Sequence, residues 1–291
     1  MPTPVAPAWA SLVVYVDVAV VLGAAVTALL ATGRKQGTPG RASGGVWVAA
    51  ALVAWLGIVL ALNSAHVFQA RSHGVPWIGL GVGAPIVVGF VAFSLSRGLR
   101  RSVASIPQPW LLAAQFPRLV GAIFLVLLAE HRLPGVFARP AGWGDVLIGV
   151  MAPLVTYAYV ARRSWSRSLA VLFNFLGIAD LVIAIGTGFL AAPFPFRLFF
   201  GQPSTSLMTV LPMVLIPTFL VPFWILVHAA SLRALLVAAR APSPAGSPVG
   251  FRGAGRASRS RFRSPGAAPP GDLNADTHTL RTSADDTREK E

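Results

Sequence analysis

The stretch Ser168–Ala191 reads SLAVLFNFLGIADLVIAIGTGFLA, and Asp180 is its one ionisable side chain. An α-helix needs about 20 predominantly apolar residues to cross the hydrocarbon core of a bilayer, so the stretch is predicted to span a membrane. Of the 291 residues, 55% are hydrophobic and 12% are charged, whereas soluble domains are about 45–50% apolar and about 25% charged. This composition excludes an ordinary soluble globular fold.

Six further stretches have a similar length and composition, which predicts an all-α membrane protein built as a bundle of seven transmembrane helices. Tryptophans lie at or near most of the predicted ends, as expected from the preference of indole for the membrane interface. Trp55 lies within a span and is predicted to pack there. The other predicted spans are Trp9–Thr32, Val46–Asn63, Trp77–Ser96, Trp110–Glu130, Trp143–Ala161 and Leu207–Ser231.

Basic residues are divided unevenly between the two sides of this bundle. Nineteen of the 24 lie in loops 33–45, 97–109 and 162–167 and in the tail from Arg233. The positive-inside rule therefore predicts an external amino terminus and a cytoplasmic carboxyl terminus. The strong excess of arginine over lysine, with abundant alanine and glycine, is typical of GC-rich bacterial genomes. The predicted location is a bacterial cytoplasmic (inner) membrane, with the first segment retained as a span.

Two regions are predicted, a transmembrane domain over residues 1–232 and a tail over 233–291. The tail is rich in Pro, Gly, Ser and Arg, and it is predicted to be disordered. Its basic cluster could bind anionic lipid headgroups, at about 1 kcal/mol per residue, or it could be a solvated tail that only sets topology. The formal charge of +14 suggests nucleic acid. The tail offers only Phe251 and Phe262 as stacking side chains, so nucleic-acid binding is not expected.

Ionisable side chains within spans are costly and are functional candidates. Counting along the helices at about 1.5 Å per residue places Asp17, Arg118 and Asp180 at a similar depth. We predict that they form a mid-membrane cluster, in which one carboxylate could take up a proton. The cluster is either a proton or cation relay or an ion pair that fixes helix register. Gln115 and Asn174 lie nearer the cytoplasmic side and are predicted to form hydrogen bonds between helices.

Prolines predict irregular backbone in two spans. Pro117 removes a backbone donor next to Arg118, which predicts a kink in the fourth span. The seventh span contains Pro212, Pro217 and Pro222, so it is predicted to be bent or broken. Broken helices line substrate sites in many transporters, although proline is also common in inert membrane helices.

The predicted outer face carries a second set of polar side chains whose types can bind metal ions. They come from different loops without metal-binding spacing, so they are predicted to be ordinary interfacial residues and no metal site is assigned. Asp145 is expected to cap the outer amino end of the fifth span. The set comprises His66, His73, Glu130, His131 and Asp145.

Three stretches carry a resemblance to an uncharacterised bacterial family of multi-pass integral membrane proteins. They are IPQPW (106–110), QFPR (115–118) and LPGVFARPAGWGD (133–145). The resemblance covers about forty residues, and it implies a multi-pass topology without an established activity. It draws attention to Gln115, Arg118, Gly142, Gly144 and Asp145.

The sequence leaves three functions open. The first is transport or sensing of a small solute, ion or proton through the polar cluster. The second is a non-catalytic membrane partner or assembly protein, whose protein partner is unknown. The third, least supported, is a membrane enzyme with an outer-face metal site. No cofactor is expected, because neither Lys35 nor Lys290 lies in a span to attach retinal, and the chain has no cysteine.

Overall fold

A computed structural model of the chain describes residues 4–34, 44–69 and 76–240. His73 and the tail beyond residue 240 therefore lie outside the described residues. Within the described ranges the backbone is helical, without β-strands. The α-helices are α1 (Ala8–Arg34), α2 (Gly44–Ser64), α3 (Trp77–Leu95), α4 (Arg97–Ala104), α5 (Gln108–Ala113), α6 (Ala122–Ala129), α7 (Gly135–Val160), α8 (Ser166–Ala191) and α9 (Val221–Arg240).

Seven helical stretches of the described chain are long and apolar enough to cross a membrane. Five of them agree with the predicted spans within about two residues at each end. The fifth and seventh have different bounds, and the fourth is interrupted along its length. The stretches are Ala8–Thr32, Gly44–Ser64, Trp77–Leu95, Gln108–Ala129, Gly135–Val160, Ser166–Ala191 and Ile216–Val237.

The fourth stretch is divided into three helical pieces. Helix α5 ends at Ala113, a 3₁₀ turn covers Phe116–Gly121, and α6 begins at Ala122. Pro117 has no N–H to donate to the preceding turn, so the backbone tightens instead, with the Arg118 N–H bonded to the Gln115 carbonyl oxygen at 3.2 Å. A short 3₁₀ segment within a helix commonly marks strain or a functional position, and Arg118 lies in its middle.

The fifth helix starts eight residues before the predicted Trp143. Pro134 is its amino-terminal capping residue and Gly135 its first residue. Proline fixes a backbone angle that suits the start of a helix. Trp143, which suggested the end of the span, lies one-third of the way along α7. Asp145 is therefore an internal helical residue, and the prediction that it caps the helix is wrong.

The seventh stretch begins as a π-helical segment, Ile216–Leu220, which leads into α9. Residues 205–215, part of which belonged to the predicted span, form a 3₁₀ turn and further turns. Pro222 has no N–H for the carbonyl four residues earlier, at Thr218. The Trp55 indole Nε1 donates to that carbonyl oxygen at 2.9 Å, so α2 compensates for the missing backbone donor.

Two groups of contacts define the faces of the bundle. At the amino-terminal face, where α1 begins, Trp9 Nε1 donates to Glu130 Oε1 at 3.2 Å. At the carboxyl-terminal face, where α9 ends, Arg167 donates to the Leu235 carbonyl oxygen. The predicted loop 97–109 lies at this second face, and it contains the amphipathic helix α4. Ser96 caps α4 by accepting a hydrogen bond from the Leu99 N–H at 3.1 Å.

The interior is packed mainly around α7, which contacts α6, α8 and the 3₁₀ turn at Arg118. Phe124 of α6 meets Phe137 of α7 edge to face, with ring centroids 5.3 Å apart. Near the carboxyl-terminal face, Phe173, Ile148 and Leu235 belong to a second buried cluster. Large apolar side chains also cover the outside of the bundle, as suits helices whose solvent is lipid.

Candidate functional site

Arg118 is the largest fully buried side chain of the described residues, with 0% of its surface exposed. Its guanidinium is held between two carboxylates. Nε donates to Asp145 Oδ1 at 2.7 Å, and Nη2 pairs with Asp180 Oδ2. Because an isolated charge in the hydrocarbon region costs several kcal/mol, this pairing explains how the bundle tolerates a buried arginine. We call Arg118, Asp145, Asp180 and His228 the ionic cluster.

His228 receives the remaining arginine contact. Arg118 Nη1 lies 3.3 Å from His228 Nε2, and arginine has only donors. Nε2 must therefore accept, so the imidazole is neutral and its proton is on Nδ1. Nδ1 lies 2.9 Å from Asn174 Oδ1 and donates to it.

The hydrogen-bonded chain continues from Asn174 toward the carboxyl-terminal face. Asn174 Nδ2 donates to Ser231 Oγ at 2.9 Å, and Gln108 Nε2 donates to the same oxygen at 2.6 Å. The chain therefore connects Arg118, His228, Asn174, Ser231 and Gln108, and it joins α5, the 3₁₀ turn, α8 and α9. Asn174 and Ser231 are 1% and 0% exposed.

Three glycines make room for the ionic cluster. A methyl group added at Gly121 would overlap the Asp145 side chain, one at Gly144 would overlap the Asp180 carboxylate, and one at Gly177 would overlap the His228 ring. Asp145, Asp180 and His228 thus each pack against a glycine of a neighbouring helix or turn. Arg118 Nη1 also lies 3.4 Å from the Gly177 carbonyl oxygen, so the same glycine supplies an acceptor.

The carboxylates share one depth. Asp17 lies nine residues from the start of α1, Asp145 ten from the start of α7, and Asp180 eleven from the end of α8. All three helix ends are at the amino-terminal face, so the carboxylates lie about 14–17 Å from it at 1.5 Å per residue. A hydrocarbon core of about 30 Å has its midplane near that depth.

Asp17 is close to the ionic cluster but is not paired with Arg118. It is 4% exposed, its Oδ2 has no hydrogen-bond partner in the described structure, and it is within electrostatic range of Asp145. Gln115, one 3₁₀ turn before Arg118, is 0% exposed, with both side-chain polar atoms unpartnered in that structure. The buried Trp224 Nε1 also has no hydrogen-bond partner in that structure. The centroid of the Trp224 ring lies 5.7 Å from Arg118 Cζ.

Replacing Asp17 with Asn is expected to raise the free energy of unfolding by about 1 kcal/mol, because a buried, unpaired and repelled carboxylate becomes a neutral amide. Unfolding by SDS in mixed micelles, followed by tryptophan fluorescence, measures this change. Thr187→Val is the control, since Thr187 is a polar span residue that bonds to its own helix, at the Ile183 carbonyl oxygen. A loss of stability in Asp17→Asn would mean that Asp17 has a stabilising partner.

The predicted polar cluster is thus assembled differently from the prediction. Arg118 and Asp180 meet, Asn174 joins through His228, and Asp145 takes the second position on Arg118 that was expected for Asp17. Gln115 is buried nearby without a described partner. Asp145 had been placed on the outer face because the start of α7 was predicted too late.

The other outer-face candidates do not converge in the described structure. Glu130 pairs with Arg132 at 3.1 Å and accepts from Trp9, while His66 Nδ1 contacts Gln69 Nε2 at 2.9 Å. His131 is exposed, with a backbone φ of 54°. No three His, Asp or Glu side chains of the described ranges are grouped to hold a metal ion.

Sequence reasoning did not identify the central position of His228. It also missed Ser231, Gln108 and Trp224. One signal could have identified His228: it is the one histidine within an apolar stretch of the described chain. The position of Asp145 within its helix could have been predicted from Pro134 and Gly135, which form a good helix start ten residues earlier.

The fold and site together define a multi-span helical protein with a buried ionic cluster between its spans. Residues 75–236 match the family described as Domain of unknown function (DUF8737). The match covers more than half of the chain, so the chain belongs to this family. The ionic cluster lies inside the matched region, whereas Asp17 lies before it. Neither a curated protein nor a solved structure matches the chain.

Proposed function

We propose that the protein moves protons, or a small solute or ion coupled to protons, across a bacterial cytoplasmic membrane. Its amino terminus is external and its carboxyl terminus cytoplasmic in this proposal. The orientation is supported by the nineteen basic residues on the carboxyl-terminal side, and the bacterial source by the arginine-rich composition.

The excess of carboxylates over guanidinium groups carries the proposal. Asp145 and Asp180 pair with one arginine at mid-depth, and Asp17 lies within electrostatic range of Asp145. His228 is neutral because its Nε2 accepts from Arg118. With every carboxylate ionised, the group would hold two uncompensated negative charges. Such charges are costly in hydrocarbon, so the site favours uptake of a proton or a cation.

A hydrogen-bonded chain and a cavity approach the cluster from opposite sides. The hydrogen-bonded chain from His228 to Gln108 leads toward the carboxyl-terminal face. A cavity of about 70 Å³ lies on the opposite side, lined by Asp145, Thr205 and Thr209 among mostly apolar residues. A water molecule needs about 10–15 Å³ of such volume, so the cavity is large enough for several. Together these features support a site in which Asp145 and Asp180 take up and release protons, while the hydrogen-bonded chain beyond Arg118 extends the polar interior toward the second face.

Proton flux in proteoliposomes tests the proposal. Wild-type protein is expected to let protons follow a potassium diffusion potential, detected by a pH-sensitive dye inside the vesicles. Asp180→Asn is expected to reduce the flux to that of protein-free vesicles, because one exchanging carboxylate is removed. Thr187→Val, a polar change in the same helix outside the cluster, is expected to leave the flux unchanged.

A wild-type flux equal to that of empty vesicles would contradict proton movement, and a normal flux in Asp180→Asn would exclude the ionic cluster as its path. The alternative is a non-catalytic membrane partner or assembly protein. The way the polar chain joins α5, α8 and α9 favours that alternative, since interhelical hydrogen bonds also fix helix packing. Stable association with another membrane protein, without flux, is its expected signature.

A further inference from the structure

Two arginines each contact Phe93, at the end of α3 near the carboxyl-terminal face. Arg100 Nη1 donates to the Phe93 carbonyl oxygen at 3.1 Å and also to that of Ser94. From α9, Arg233 Cζ lies 5.2 Å from the centroid of the Phe93 ring. Two guanidinium cations beside one residue repel each other, and an anion that binds both offsets this repulsion.

The described residues supply no carboxylate for this pair. Their four acidic side chains are Asp17, Asp145 and Asp180 at mid-depth and Glu130 at the amino-terminal face, and every described ion pair involves one of them. Arg97 and Arg101, also on α4, add to the positive potential at the same end. Charge complementarity therefore calls for an anionic group at the carboxyl-terminal face.

An apolar groove begins at Arg233. It has a volume of about 1600 Å³ and runs among α1, α2, α3, α4, α5 and α9, with Arg233 as the one charged side chain among its lining residues. It reaches from Arg233 to Pro117 and Ile178, next to the ionic cluster. Pockets for small molecules are about 300–1,000 Å³, so the groove has room for an occupant with long hydrocarbon chains.

We propose that this groove binds one anionic glycerophospholipid, with its phosphate between Arg100 and Arg233 and its acyl chains along the groove. The arginines match the charge of the headgroup, and the groove matches the apolar chains. The site differs from a surface patch because the groove extends to mid-depth.

Lipid binding to the purified full-length protein, followed by native mass spectrometry in mild detergent, tests the site. Dioleoyl phosphatidylglycerol is expected to bind more tightly than dioleoyl phosphatidylcholine, which has the same chains and no net charge. Arg100→Gln/Arg233→Gln is expected to weaken phosphatidylglycerol binding about 30-fold, or about 2 kcal/mol, from about 1 kcal/mol for each basic residue. Arg163→Gln, which removes a charge at the same face outside the groove, is the control.

Two neighbouring alanines of α2 provide a test variant and a control for the apolar part of the site. Ala51 lines the groove, whereas the adjacent Ala50 is exposed elsewhere. Ala51→Phe is expected to reduce binding of both lipids by filling the groove, and Ala50→Phe is expected to leave binding unchanged. Melting temperatures of all variants show whether each protein is folded.

Several results would overturn the proposal. Equal affinity for the two lipids, or unchanged preference in the double arginine variant, would exclude a headgroup site at Arg100 and Arg233. Unchanged binding in folded Ala51→Phe would exclude the groove as the chain site. If inorganic phosphate competes with phosphatidylglycerol and Ala51→Phe leaves lipid binding unchanged, the site binds free anions instead of a lipid.

Discussion

Replacing Arg118 with Ala is expected to lower the free energy of unfolding by about 3–5 kcal/mol, the usual cost of removing one partner from a buried ion pair. Asp145 and Asp180 would then lie in the interior without a cation. His228 Nε2 would lose its donor, and a cavity would remain where a fully buried side chain had been. SDS titration in mixed micelles measures the loss, and Arg132→Ala is the control because its pair with Glu130 is exposed and is worth about 0–1 kcal/mol.

A triple variant separates charge from packing. Arg118→Ala combined with Asp145→Asn and Asp180→Asn removes the guanidinium together with both of its carboxylate partners. Because nothing charged is left unpaired at this position, the triple variant is expected to be more stable than Arg118→Ala. If it is no better folded, the arginine stabilises the bundle by filling space and the ion pairs contribute little.

Replacing Gly177 with Ala is expected to cost about 1–3 kcal/mol, the range for overpacking a well-packed interior. The added methyl group would overlap the His228 ring, which would have to move away from Arg118 and Asn174. Gly186→Ala in the same helix has no atom within 4 Å of the new carbon. It is expected to be neutral or mildly stabilising, because alanine favours helix by up to about 1 kcal/mol.

Thermal unfolding of the two glycine variants, followed by tryptophan fluorescence, measures this difference in one helix. The double variant Gly177→Ala/His228→Ala provides the second test, since removing the imidazole frees the space that the methyl group needs. Gly177→Ala should therefore cost less in the His228→Ala background than in the wild type. Equal costs in both backgrounds would show that steric conflict with His228 is not the cause.

The sequence predicted the fold well because each span is long, apolar and separated by short polar connections. Depth arithmetic alone brought Arg118 and Asp180 to the same level, where the structure pairs them. It also placed Asp17 at that level, but depth does not show which direction a side chain faces around its helix. The error at Asp145 came from treating Trp143 as the end of a span, although Pro134 and Gly135 provide the helix start.

Rotation and backbone irregularity account for what could not be predicted. His228 lies after a π-helical segment, which changes the angular position of every later residue relative to a regular helix. The orientation of α9, and with it the contacts of His228 and Ser231, therefore depended on tertiary packing. The groove beside Arg233 depended on the arrangement of several helices, and no local pattern in the chain describes that arrangement.

Trp224 gives the molecule an optical reporter at its centre. Of the eight tryptophans it is the most buried, at 3% exposure, and its ring faces the Arg118 guanidinium. Indole emission responds to the local electric field, which is weakly screened in an apolar interior. Any gain or loss of charge at the ionic cluster should therefore shift the Trp224 emission spectrum, and the difference between the emission of the wild type and of Trp224→Phe can follow the cluster without an added label.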